Sequence, residues 1–175
     1  MEVVEVAVRE LLAATVPPLP KRLSGYSTGE LGKTRGRRHA SVFSSSTKLC
    51  VSGARRWVRL VTGLPRHEAS GLEIVVSELV TNALDHSASG EPGGLVTVRI
   101  AFLDVSRIRI AVTDSGPKVF GGPGFPDWSG DSPDPEHGRG LTLVQAFSRR
   151  TGVIGVRGEP LTVWAVIDRS DLRRR

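Results

Sequence analysis

The longest regular alternation of apolar and polar positions runs through residues 66–86. There Leu72, Val75, Val76, Leu79, Val80, Ala83 and Leu84 recur at intervals of three and four. That period gathers them on one side of an α-helix, which must bury the stripe against a core. The helix is predicted from about Arg66 to His86, preceded by Gly63 and Pro65 and ended by the run Ser87-Ala-Ser-Gly90-Glu-Pro92-Gly-Gly94. Beyond it the period changes to two. Leu95, Val96, Val98, Ile100 and Phe102 mark one strand, and Ile108, Ile110 and Val112 alternate with Arg107, Arg109 and Ala111 in the next. The short connection from Asp104 to Ser106 makes the two strands a hairpin.

Shorter patterns complete the chain. A strand is predicted between Ser41 and Val51, carrying Val42, Phe43, Leu49 and Val51. Ser52 then caps a helix from Ala54 to Val61 that turns Trp57, Val58 and Val61 inward and Arg55, Arg56 and Arg59 outward. Residues 117–137 are rich in glycine and proline and lack a period. They are too long for an ordinary connection and read as a lid, with His137 exposed on it. A helix from about Leu141 to Arg150 follows, burying Leu143, Val144 and Phe147. A final hairpin uses Val153 to Val156 and Leu161 to Ile167, turning at Gly158-Glu-Pro160. Trp164 is expected in the core, and Trp128 either in the core or at a site. Upstream, residues 3–14 form a short helix stopped by Pro17, Pro18 and Pro20, and residues 21–39 carry six basic residues and one acid without apolar period, the signature of a flexible linker. The expected organisation is therefore an N-terminal extension (1–40), one folded domain (41–168) and a basic tail (169–175).

Composition narrows the functional classes. The 175 residues suit one domain of ordinary core size, 39% are hydrophobic, and no apolar run approaches the roughly 18 residues of a membrane span. The start of the chain has neither the basic head nor the apolar middle of a signal peptide, and Cys50 is the single cysteine. A reducing, cytoplasmic setting is expected, with no internal disulfide and no cysteine-based zinc site. The net charge of +6 lies in the ends. Residues 1–40 hold seven Lys/Arg against four Asp/Glu, residues 41–168 thirteen of each, and residues 169–175 four against one. With 5% aromatic residues and a neutral folded part, sequence-specific nucleic-acid binding is disfavoured.

Against the apolar stripe of the long helix, Glu78 and Asn82 stand four positions apart, so their side chains leave the same face one turn from each other. A carboxylate can polarise a hydroxyl, and an amide oxygen is a neutral hard ligand for Mg²⁺, which keeps most of its waters and bridges phosphates. Asp114 and Gly116 follow the second hairpin strand, and Gly138 and Gly140 precede the next helix. Taken one by one, these are more often a solvated stripe, a turn and a helix start.

In order and surroundings the pieces resemble the GHKL superfamily, the Bergerat-fold ATP-binding domain shared by gyrase-type ATPases and sensor histidine kinases. The nearest branch is that of the anti-sigma-factor serine kinases and short bacterial ATP-binding regulators. The resemblance rests on Ser-Glu-Leu-Val-Thr-Asn-Ala (77–83), Val-Thr-Asp-Ser-Gly-Pro (112–117), Gly-Arg-Gly-Leu (138–141) and Thr-Val-Trp-Ala (162–165). It implies an α+β two-layer sandwich, with a mixed, mostly antiparallel sheet covered on one face by helices. It implies ATP and Mg²⁺ as ligands, with Asn82 on the metal, Glu78 as catalytic base and Asp114 accepting from the adenine amino group beside Gly116. Gly138, Arg139, Gly140 and Leu141 would face the phosphates, and His86 would lie within their reach.

The function implied is a serine/threonine protein kinase of the anti-sigma type that transfers the ATP γ-phosphate to a small regulatory partner such as an anti-anti-sigma-like protein, with a homodimer among its forms. The alternative is a catalytically weak, nucleotide-gated binding module that sequesters a sigma factor or other regulator. Three departures bear on the choice. Many relatives carry a basic residue where Asp85 stands; Lys118 occupies a position often held by glycine; and the lid holds Asp127, Asp131, Asp134 and Glu136.

Overall fold

The computed structural model describes residues 36–44, 50–119, 125, 126, 128 and 139–172, all within one compact unit spanning residues 32–175. In chain order the described elements are β1 (Arg38–Ser44), α1 (Cys50–Thr62), α2 (Arg66–His86), a 3₁₀ turn (Ala88–Gly90), β2 (Leu95–Phe102), β3 (Arg107–Thr113), α3 (Arg139–Ala146), β4 (Arg150–Ile154), β5 (Thr162–Asp168) and α4 (Arg169–Leu172). The predicted helices 3–14 and the lid residues 120–124, 127 and 129–138 lie outside the described residues.

The apolar stripe read from the sequence is the stripe that α2 buries. Leu72, Val75, Val76, Leu79 and Val80 are all 0–1% exposed, each worth roughly 1.5–3 kcal/mol on leaving water. Near its start α2 runs close to the end of the chain. A Cβ at Gly71 would collide with Leu172, so a residue without a side chain lets α4 approach. Glu68, 2% exposed, accepts from the Arg169 guanidinium at 2.9 Å, and Arg169 also donates to Val105 O at 3.1 Å. The first turns of α2, the β2–β3 turn and the C-terminal helix are thereby pinned together.

The five described strands are ordered β1-β2-β3-β5-β4, and each of their pairings is antiparallel, where a mixed sheet was expected. Period-two alternation sends Val96, Val98, Ile100 and Phe102 from β2, Ile108, Ile110 and Val112 from β3, and Val163, Ala165 and Ile167 from β5 to one face. There they share a core with α1, α2 and α3. The two-layer α+β architecture expected from the sequence is the architecture observed. The β2–β3 turn is closed by Asp104, whose carboxylate accepts from the backbone N–H of Ser106 at 2.9 Å and of Arg107 at 2.7 Å, and from the Arg107 guanidinium. Burial alone would raise the Asp104 pKa, but these bonds outweigh it and hold the group below its usual value.

Several expected elements differ. β1 begins at Arg38 and ends at Ser44, because its backbone pairs with β2 from Arg38↔Ala101 to Ser44↔Leu95. Val51 belongs to α1, whose buried positions Cys50, Ala54, Val58 and Thr62 recur every fourth residue, so Ser52 lies inside this helix and does not cap it. α3 stops at Ala146 because Arg150 already pairs with Val166 in the sheet. Leu143, expected buried, is 39% exposed, while Leu141 and Val144 face the core. Trp164 is not in the core cluster. It lies on the opposite sheet face, where the Arg109 guanidinium sits 4.8 Å from its ring centroid, whereas Trp128 packs against the core.

Candidate functional site

The chemistry predicted for α2 starts from its pattern. Leu79, Val80 and Ala83 are buried, and the interleaved Glu78 and Asn82 are left half-buried on the flank of the stripe, one turn apart. Glu78 faces the first turn of α3. A Cβ built on Gly140 would lie 2.8 Å from Glu78 Oε2, so the helix start can approach the carboxylate only because residue 140 has no side chain. Arg139, the first residue of α3, is exposed beside it, and the unpaired N–H groups of this helix start favour an anion. Leu141 turns its side chain into the core, which leaves its backbone N–H as the group it can offer. Gly138 lies outside the described residues.

The second cluster forms where β3 ends. Asp114 Oδ1 accepts from the backbone N–H of Gly116 at 2.7 Å and of Leu161 at 3.0 Å, and Asp114 N donates to Leu161 O at 3.0 Å. Both accepted bonds fall on one oxygen. Among the described residues Oδ2 receives none, and it is free to accept from a ligand. Burial pushes the Asp114 pKa up, and the two backbone N–H groups pull it only part of the way back. Gly116 is buried with φ +88°, a left-handed conformation that favours glycine, and its would-be Cβ points at Pro160, 3.4 Å away.

The two clusters are tied through the end of α2. Ala88 N donates to Gly116 O at 2.8 Å, Ser115 N donates to Ser89 Oγ at 2.8 Å, and Lys118 Nζ donates to Asp85 O at 2.6 Å. Ser89 is fully buried and donates in turn to Leu95 O at 2.7 Å, while Ser87 Oγ closes the helix on Ala83 O at 2.6 Å. Seven residues separate Glu78 from Asp85, about 10 Å along the helix axis. One helical segment thus carries a carboxylate facing a helix N-terminus and, further on, is laced to a loop that presents an aspartate oxygen.

Of the residues expected to act together, Glu78 and Gly140 are in direct apposition, Asn82 shares their helix face, and Asp114 and Gly116 are bonded to each other. His86, the last residue of α2, is exposed. Sequence reasoning missed the serine trio Ser87, Ser89 and Ser115, because serines in a glycine-rich stretch look like ordinary loop. It also missed Thr162, buried beside Leu161 with its hydroxyl 2.8 Å from that of Thr113. The β3–β5 register, which sets Thr113 opposite Thr162, is the signal that finds it.

These donors suit Mg²⁺ and a purine nucleotide. The residue that could hold Mg²⁺ is Asn82, whose amide oxygen is a neutral hard ligand, with water and phosphate oxygens completing the set. Asp114 Oδ2 is an acceptor-only oxygen of the kind an exocyclic amino group requires.

A family model described as the histidine kinase-like ATPase domain matches residues 45–166. An uncharacterized protein of Streptomyces coelicolor is 37% identical over 78 residues, which is 45% of this chain and 68% of that protein. Among solved structures, the RsbU and RsbW domains of Rv1364c from Mycobacterium tuberculosis superpose with a TM-score of 0.52 at 18% identity, over 75% of this chain and 31% of that one. The histidine kinase domain of a blue-light activated histidine kinase from Erythrobacter litoralis gives 0.47 at 22% identity, over 71% of this chain and 65% of that one. The chain thus spans under a third of the first of these solved chains and just under two thirds of the second. The segment matched by the family model takes in α2, the Asp114 loop and α3 together, and the chain belongs to the histidine kinase-like ATPase domain family.

Proposed function

We propose that the domain binds ATP with Mg²⁺ along α2 and transfers the γ-phosphate to a serine or threonine of a small regulatory protein of the anti-anti-sigma-like class. The observation that carries this reading is the placement on one helical segment of two sites of opposite preference. Glu78 and the N-terminus of α3 are apposed at one point, and the loop that holds the Asp114 acceptor is bonded to Asp85 and Ala88 at and just past the far end of α2. An elongated molecule with an amino-bearing base at one end and phosphates at the other satisfies both.

In this reading Asp114 Oδ2 accepts from the adenine amino group, and Gly116 lets the backbone come close to the ring. A guanine carbonyl at the same place would meet a carboxylate and be rejected. Arg139 and the first N–H groups of α3, Leu141 among them, draw the phosphates, with Gly138 preceding them and His86 in reach from the end of α2. Asn82 holds Mg²⁺, which neutralises charge on the phosphates. Glu78 takes the proton of the attacking hydroxyl as its oxygen bonds to the γ-phosphorus and the bond to the ADP oxygen breaks. The ATP-binding domain is taken as residues 41–168, to which β1 adds Arg38 to Ala40 and α4 adds residues 169–172. Among the described residues no helix is long and apolar enough to cross a membrane, and a cytoplasmic setting fits the acceptor class.

Incubating the protein with labelled ATP and candidate acceptors tests the kinase assignment. Transfer should be lost in Glu78→Ala while ATP binding persists; a Glu78→Ala variant that phosphorylates as well as wild type removes Glu78 from the role of base. A second reading is favoured by one feature. Asp85 is exposed at the end of α2, where many relatives carry a cation, and a carboxylate there disfavours phosphate chemistry. In that reading the nucleotide gates capture of a regulator without turnover, so Asn82→Ala should abolish ATP-dependent capture. Capture indifferent to both ATP and that substitution would eliminate it.

A further inference from the structure

The end of α2 is a poor place for a phosphate as the helix alone builds it. Its last carbonyls lack intrahelical partners and carry the negative end of the helix dipole. Asp85 adds a carboxylate on the exposed surface of the same turn, one turn past Asn82. Into this corner the chain brings a cation from elsewhere. Lys118, two residues after Gly116, reaches back so that its ammonium lies 2.6 Å from Asp85 O. The partner is a backbone carbonyl and not the carboxylate, so the ammonium keeps its full charge and has two further N–H donors to offer. The loop that holds Lys118 is itself fixed to α2 by the Ala88 N to Gly116 O and Ser115 N to Ser89 Oγ bonds, so the cation is carried by a braced segment.

We propose that Lys118 is a second phosphate-facing cation of this site, besides Arg139. The positive charge that a helix residue would supply at position 85 comes instead from the base-binding loop. The proposal rests on the nucleotide reading above and adds to it a division of labour. The loop from Asp114 to Lys118 reads the base with its carboxylate and neutralises the phosphate end with its ammonium.

The test is calorimetric titration of wild type, Lys118→Met and the double variant Lys118→Met/Asp85→Lys with ATP and with adenosine, thermal melts confirming that each variant is folded. Loss of one charge-assisted contact should weaken ATP about 10- to 100-fold in Lys118→Met. Adenosine affinity should stay within about twofold, since no phosphate is lost, and the double variant should regain most of the ATP affinity by returning a cation to the same corner. The salt dependence of ATP binding should also become shallower in Lys118→Met. If ATP and adenosine weaken together, Lys118 is only a latch between loop and helix and the proposal is overturned. If ATP binding is unchanged in Lys118→Met, it is overturned as well. A wild-type protein that binds neither compound would overturn the nucleotide reading itself, an outcome distinct from those two.

Discussion

Asp114→Asn separates the loop bonds that this carboxylate makes from the adenine contact proposed for it. The asparagine can keep its oxygen at the Oδ1 position, still accepting from Gly116 N and Leu161 N, so the loop and the start of β5 should stay in place. At the Oδ2 position an amide NH₂ replaces an acceptor and would confront the adenine amino group donor to donor. A hydrogen bond to a charged group is worth about 1.5–3 kcal/mol, so ATP affinity should fall about 10- to 150-fold. GTP, whose ring presents an acceptor there, should gain relative to ATP. Asp114→Ala removes both functions and leaves two backbone N–H groups without their acceptor, adding about 1–3 kcal/mol of lost stability for each that stays dry. Calorimetry with ATP and GTP, paired with urea unfolding of the three proteins, reads both quantities. The reasoning is refuted if the asparagine variant binds ATP like wild type, or if it is destabilised as much as the alanine variant.

Gly140→Ala should leave the fold intact, because the new methyl meets the far end of a flexible side chain, but it should push the Glu78 carboxylate aside; phosphoryl transfer would fall by an order of magnitude or more with the melting temperature nearly unchanged. Raising the Asp114 pKa by burial makes two pH signatures of opposite sign. The stability term is fully present below the ordinary value of 3.8 and is lost as pH rises through the raised folded value, whereas ATP affinity, which needs the ionised carboxylate, is lost as pH falls through it. Urea midpoints and ATP titrations on Asp114→Asn should show neither slope. Asp104, held down by its bonds to Arg107 and Ser106, behaves conversely: its stabilisation is present above 3.8 and disappears as pH drops through its lowered value, a slope that Asp104→Asn should remove from acid unfolding curves. Arg169→Ala takes the guanidinium from a carboxylate that is 2% exposed and should cost about 3 kcal/mol in urea unfolding; a loss below about 1 kcal/mol would show that Glu68 is satisfied without it.

How much of this was legible beforehand depended on whether the signal was local. α2 was readable to its end residues because its stripe, its preceding proline and its following glycine run all agree, and Glu78 and Asn82 inherited their placement from it. The β2–β3 hairpin was readable from alternation, and with it the position of Asp114 at a strand end. β1 was not, since Arg38 and His39 become strand through pairing with Ala101 and Ile100, partners some sixty residues away. The apolar period overruns the true end of α3 because Phe147 extends it, while the sheet claims Arg150 for β4. Trp164 reads as core because large aromatics favour it, yet strand parity sends residue 164 to the outer face beside Arg109. The links from Ser89 and Lys118 to the neighbouring loop and helix had no sequence signal, since each joins groups that approach only after the hairpin has folded against α2.

In the proposed function, α2 and the Asp114 loop together hold one adenine nucleotide with its metal, and calorimetric titration of wild type and Asn82→Ala with ATP, with and without Mg²⁺, puts this to the test. A single site that tightens when Mg²⁺ is added is expected in wild type, and an Asn82→Ala protein that still binds ATP but no longer responds to the metal. Wild-type protein that takes up no ATP in either condition, or an Asn82→Ala variant whose metal response is undiminished, would contradict it.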